Sequence, residues 1–194
     1  MRRTVHFILT LVLLAMLSCQ FAAAQVRYTI RSQKVEIVGT SNIHDWTAVV
    51  GKLSGSSDFV VENNTITGIK AAVVDVDASS LAGSKGGIMN RKIKECFDSE
   101  SYPHIRFVLA KVNGVQTTGN VSTINLVGNI TIKTTTVPVE FLVKATALAS
   151  GEIEVRTSKQ IRMSDFNLKP PTALLGTLKT ANDVTVNIYF LLKK

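Results

Sequence analysis

From Val26 onward the chain alternates apolar and polar residues with period two, and the alternating positions are rich in Val, Ile and Thr. That pattern predicts half-buried β-strands. It is clearest near the C-terminus, where Val184, Val186, Ile188, Phe190 and Leu192 interleave with Thr185, Asn187, Tyr189, Leu191 and Lys193. Val137, Val139, Phe141 and Val143 alternate in the same way with Pro138, Glu140, Leu142 and Lys144, and Leu126, Gly128, Ile130 and Ile132 form a third set. Shorter runs predict strands over 35–39, 46–53, 59–62, 66–76 and 105–112. Turn chemistry separates them: Asn63-Asn64, Asn113-Gly114, Gly119-Asn120, Ser150-Gly151 and Asn182-Asp183. Short turns make antiparallel neighbours. A meander of about eight to ten strands closes into a sandwich or a barrel.

One segment breaks the alternation. Between Lys85 and Phe97, residues Met89, Ile93, Cys96 and Phe97 fall on one face at helical spacing, with Arg91, Lys92, Lys94 and Glu95 away from it. This predicts an amphipathic helix of about three turns, stopped before Pro103. A further short helical turn is expected around 163–168, ended by Pro170-Pro171. No linker divides the sequence after its first two dozen residues, so 25–194 is read as one domain.

The first residues change the composition. Arg2 and Arg3 precede an apolar stretch from Phe7 to Leu17, and Ala22-Ala23-Ala24 follow. This is the layout of a secretory signal peptide, with cleavage expected after Ala24. The apolar stretch is roughly half the ~20 residues that a membrane span needs. A lesser alternative uses Leu17-Ser18-Cys19 as an acylation box, with Cys19 as a lipid anchor. Removing 1–24 leaves 170 residues, lowers the formal charge from +8 to +6 with the loss of Arg2 and Arg3, and takes away much of the excess hydrophobicity. Cys96 is then the only cysteine, so no intrachain disulfide supports the fold. A periplasmic or secreted protein resting on its own core is expected.

Candidate chemistry is sparse. After the leader only His44 and His104 remain as imidazoles, and neither has a second ligand at metal spacing, so no metal site is expected. No nucleophile elbow, zincin, phosphate loop or dinucleotide glycine pattern occurs. Asp75 and Asp77 lie two apart on a strand, which fits a solvent-facing edge better than an acid–base pair. Cys96 reads as a small buried side chain. Basic residues are scattered except for Arg91, Lys92 and Lys94, which suits transient attraction to an anionic membrane surface better than nucleic-acid binding.

Several segments then resemble one family. They are Gly39 to Trp46 (GTSNIHDW), Gly51 to Gly55, the helix leading into Phe97 to Phe107 (FDSESYPHIRF), Val127 to Lys133 followed by Val137-Pro138-Val139, and Arg162 to Phe166. In this order they are similar to the YceI-like proteins, the polyisoprenoid-binding, lipocalin-like family. Thr134 stands where the family often has glycine. His44-Asp45-Trp46 differs from the commoner opening, which suggests a subgroup with its own ligand.

The resemblance implies an all-β fold: an extended antiparallel lipocalin-like barrel of about eight strands with one amphipathic helix. It also implies a tunnel for a long-chain amphiphile such as an isoprenoid quinone, a polyisoprenoid or a fatty-acid derivative. No other cofactor and no catalytic residue is implied, and pairing into homodimers is a further expectation. Periodicity and the matching segments nominate Phe107, Phe141, Phe190, Val139, Ile188, Ile130 and Met89 as ligand-contacting residues. Two readings compete with it: an envelope structural or interaction protein whose barrel is filled by its own side chains, and a hydrolase using His44 and Asp45.

Overall fold

The computed structural model describes residues 25–84 and 86–194; the predicted leader, 1–24, and Cys19 within it lie outside the described residues. Eleven strands form one antiparallel sheet: β1 (Gln25–Ser41), β2 (Trp46–Val50), β3 (Leu53–Glu62), β4 (Thr65–Asp77), β5 (Leu81–Gly83), β6 (His104–Thr118), β7 (Val121–Ile132), β8 (Thr135–Ala147), β9 (Ile153–Arg162), β10 (Thr172–Ala173) and β11 (Leu178–Lys193). Among the described residues one α-helix occurs, α1 (Gly87–Phe97), between β5 and β6.

The first and last long strands pair with each other, Ile30 against Leu192 through Gly39 against Val184, and this closes the sheet. The closed wall therefore runs β1, β3, β4, β6, β7, β8, β9, β11: eight strands, with β2, β5 and β10 as extensions. Strand β1 pairs with β11 along one edge, while its other edge pairs with β3 near the N-terminus and with β2 further on. The fold is thus an all-β, closed eight-stranded antiparallel barrel with one helix.

The alternation places residues as expected. In β8, Val139, Phe141, Val143, Ala145 and Ala147 are buried while Pro138, Glu140, Leu142 and Lys144 are exposed. In β7, Ser122, Ile124, Leu126 and Gly128 share the buried face. One end of the barrel is sealed. Tyr28, Ile66, Ile124, Ile153 and Leu192 are almost wholly buried there, and the Tyr28 ring meets Phe59 edge-on at 5.8 Å between centroids. Burial pushes the Tyr28 phenol above its ordinary value. The other end carries α1, the 42–45 loop and the β10–β11 hairpin.

Several expectations are corrected. The run 35–39 is part of a 17-residue strand. The run 46–53 divides into β2 and the start of β3. Asn113-Gly114 is no turn but a bulge inside β6, where the register with β7 shifts. Asn182-Asp183 lies within β11, and Asn182 turns its side chain to the Ser164 amide and hydroxyl, both at 2.9 Å. The helical turn expected at 163–168 is a 3-10 turn, Met163–Phe166. Strand β9 was not foreseen.

The wall is not uniform. Strand β9 pairs with β11 along its whole length, Ile153 to Arg162. On its other side it pairs with β8 only through Ile153–Arg156 against Lys144–Ala147. A similar divergence separates β4 from β6 beyond Val73 and Val108, but there the hydroxyls of Thr117 and Ser122 converge on the Ile66 carbonyl at 3.0 and 2.7 Å.

Candidate functional site: an apolar tunnel beneath the helix

Three cavities follow one another along the barrel. The first, about 360 Å³, opens between α1, the 42–45 loop and the β10–β11 hairpin, with Trp46, Met89, Lys92 and Leu178 in its wall. The second, about 170 Å³, lies deeper among Ile37, Ile93, Phe97, Ile132 and Met163. The third, about 200 Å³, occupies the middle of the barrel between Phe107, Phe141, Ile188 and Phe190. Trp46, Ile93 and Pro171 border both the first and second, and Val35, Val76, Ile105, Ile130, Ile161 and Val186 border both the second and third. The cavities therefore abut end to end. Each exceeds the ~150 Å³ void that takes up a benzene ring in a protein core.

The local sequence explains the openness. Val186 and Ile188 fall in the inward register of β11 yet are only half-buried, because the surface they keep faces the lumen. Gly39 pairs with Trp46 across β1 and β2, and the indole occupies the place of a Cβ at Gly39. The Trp46 Nε1 donates to the Thr40 carbonyl at 3.1 Å. The ring is thereby fixed at the passage from the mouth to the second cavity. Helix α1 covers that passage with Met89 and Ile93, as its amphipathic face predicts.

Six of the seven nominated residues reach the tunnel: Phe107, Ile130, Phe141, Ile188 and Phe190 line the inner cavity, and Met89 the mouth. Val139 is packed in the core and borders none of the three cavities. Sequence reasoning missed Val35, Ile37, Val76, Ile105, Ile161 and Val186, which no feature distinguishes from ordinary core residues.

The candidate catalytic groups do not converge. His44 stands at the mouth, where its Nδ1 donates to the backbone carbonyl of Asp45 at 3.0 Å and not to a carboxylate. His104 donates from Nδ1 to Asp75 at 2.7 Å on the outer face. Asp77 accepts from the Ser79 amide and hydroxyl at 2.9 and 2.5 Å, and these bonds hold its carboxyl below the usual range. Asp75 and Asp77 are thus committed to different partners. Cys96 donates to the Lys169 carbonyl at 3.4 Å, and burial pushes its thiol up, away from the reactive thiolate. Among the described residues no cluster of three metal-ligating side chains occurs.

With this geometry the comparisons are decisive for the family. The YceI-like domain matches residues 24–192. The chain belongs to the YceI-like family. Among solved structures, this YceI-like protein is similar to BcnA of Burkholderia cenocepacia (21% identity, 84% of this chain and 96% of that one, TM-score 0.64). It is also similar to a polyisoprenoid binding domain from Saccharophagus degradans implicated in plant cell wall breakdown (13%, 86% and 97%, 0.67). The YceI protein of Campylobacter jejuni aligns as well (17%, 76% and 84%, 0.59). At these identities the likeness speaks for the fold. No curated protein matches the sequence.

Proposed function

We propose that this YceI-like barrel is an exported, non-enzymatic binding protein. It holds a long-chain amphiphile, such as an isoprenoid quinone, a polyisoprenoid or a fatty-acid derivative, with the tail in the tunnel. The observation that carries this reading is the chain of abutting apolar cavities, whose linings keep surface uncovered inside the wall. A barrel filled by its own side chains would leave no such series. Burying a methylene contributes about 0.8 kcal/mol, so a ten-carbon tail supplies about 8 kcal/mol before the cost of immobilisation. No polar anchor is needed for useful affinity. The likeness to a domain described as polyisoprenoid binding supports the same class of ligand.

What surrounds the mouth supports loading there from an anionic membrane surface. Ile43 is 55% and Ile88 58% exposed, and Leu175 is fully exposed. Asn42 ties the loop of Ile43 to the hairpin of Leu175 through Thr177 and Lys179, and Ile88 borders the mouth opposite Ala173. Lys92 of α1 borders the mouth, with Arg91 and Lys94 on the same helix, and basic residues near insertable aliphatic ones suit an anionic bilayer. The predicted leader, 1–24, supplies the export.

Mass spectrometry of an organic extract of the purified protein tests the proposal. A stoichiometric long-chain compound is expected; a clean extract, together with no uptake of added quinone or fatty acid, overturns it.

A further inference from the structure

We propose that the gap in the wall between β8 and β9 is a head-group site, in which Lys159 receives the anionic group, a carboxylate or a phosphate, of the amphiphile held in the tunnel. The proposal rests on the lipid-binding reading and adds to it a polar position for the ligand, away from the mouth.

Lys159 is out of place. Full pairing of β9 with β11 fixes its alternation, so Ile153, Val155, Thr157, Lys159 and Ile161 share the inward register. Lys159 accordingly lines the inner cavity beside Phe141, Val186 and Ile188. Such a position normally takes an aliphatic residue, because an ammonium without a counter-charge is costly to remove from water. Two other lysines have carboxylate partners, Lys34 with Glu36 at 3.1 Å and Lys92 with Glu95 at 2.7 Å. Among the described residues the Lys159 side chain makes no ion pair and no hydrogen bond. Arg106 also borders this cavity, but it belongs to the exposed register of β6.

The gap opens at the same place. Continuing the β8–β9 ladder from Ala145 against Val155 would set Lys159 opposite Phe141, but the pairing ends at Lys144 and Arg156. Thr157 Oγ1 donates to the Leu142 carbonyl at 2.9 Å at one limit of the gap, and Asn167 Nδ2 donates to Thr135 Oγ1 at 3.0 Å at the other. Pro138, on the stretch of β8 that pairs with β7 but not with β9, has no N–H to offer a further partner strand. At the β4–β6 divergence, by contrast, two hydroxyls close the wall. A lysine stem running along apolar lining, with its ammonium directed to the polar side, is the usual behaviour of this side chain. An anion arriving at the gap while its tail enters the cavity supplies the missing counter-charge, in a partly dry setting where charge-assisted hydrogen bonds are strongest.

The test is displacement of a neutral fluorescent probe, N-phenyl-1-naphthylamine, by tetradecanoate, tetradecyl phosphate and tetradecanol. In the wild-type protein at least one of the two anions is expected to bind about tenfold or more tighter than the alcohol, and the two anionic arms distinguish carboxylate from phosphate. Lys159→Met, which keeps the stem, should abolish that preference while leaving tetradecanol within about twofold of wild type. Lys159→Arg should retain it, which separates loss of charge from misfolding. Equal binding of anions and alcohol by the wild type, or a preference that survives Lys159→Met, overturns the assignment to Lys159 and leaves the tunnel reading standing. Failure of the probe and all three competitors to bind overturns both.

Discussion

The ring edge of Phe107 occupies the space in which a side chain at Gly128 would begin, one strand away across the β6–β7 ladder. The same ring meets Phe141 edge-on, with centroids 5.8 Å apart and planes at 83°. Gly128 therefore sets how far Phe107 withdraws from the lumen. Gly128→Ala should push the ring into the inner cavity and cost about 1–3 kcal/mol by overpacking. Urea unfolding and probe uptake would report the two effects. Adding Phe107→Leu should restore much of the stability, and two costs that simply add would contradict this coupling.

The sealed end depends on a shared carbonyl. Ser122 is wholly buried, its hydroxyl donates to Ile66, and Thr117 offers a second donor to the same oxygen. Ser122→Ala alone should cost about 1 kcal/mol because Thr117 still serves. Combining it with Thr117→Val leaves the Ile66 carbonyl buried without a donor, for a further ~1–3 kcal/mol. Denaturant midpoints of the wild type and the two variants measure this, and a double variant no worse than the single would refute it.

Glu152 links β1 to the start of β9. It accepts from Arg31 Nη1 at 2.5 Å and from the Ser150 hydroxyl at 3.0 Å. The Arg31 bond, followed by that from Ser150, holds the carboxyl below its ordinary value. A depressed carboxyl stabilises the fold above the unfolded-state pKa of about 4.3 and loses that contribution as pH falls through the folded value. The stability difference between wild type and Glu152→Gln should therefore be level from neutral pH down to about 5 and shrink on further acidification. Urea titrations across that range would show it, and added salt should diminish it, since the pair is exposed.

Replacing Ile43, Ile88 and Leu175 together by serine should weaken co-sedimentation with vesicles containing anionic phospholipid severalfold, while leaving the extractable ligand in place. Leu175 also has φ +54°, a left-handed conformation that a leucine adopts at a cost. Leu175→Gly alone should accordingly be neutral or stabilising by about 0.5–1 kcal/mol. Undiminished sedimentation of the triple variant would remove the rim from the docking surface.

Strands β7, β8 and β11 and the helix were legible because each buries one face against an apolar interior, so periodicity and burial coincide. Strand β9 was not, because Thr157 and Lys159 occupy inward positions and break the alternation. Asn113-Gly114 and Asn182-Asp183 carry turn residues, but the first makes a bulge and the second spends its side chain on Ser164. Those local preferences yielded to strands already held in a ladder with a neighbour. Phe107, Phe141 and Phe190 were recognisable as lining because aromatic inward residues are few. Ile105, Ile161 and Val186 were not, since a residue beside a void and a residue in a packed core have the same chemistry. Val139 shows the converse: it sits in the right register but away from the cavities.

The seam between β1 and β11 joins the beginning of the described chain to its end. Every other neighbouring pair in the wall joins successive wall strands, with no more than a short strand and the helix between them, but this one spans nearly the whole described chain, the kind of contact that slows folding. During synthesis the partner of β1 is the last strand of the wall to emerge, on the order of eight to thirty seconds after β1 at usual elongation rates. The ribosome thus delivers an unclosed ribbon, and the container exists only once its final strand is released.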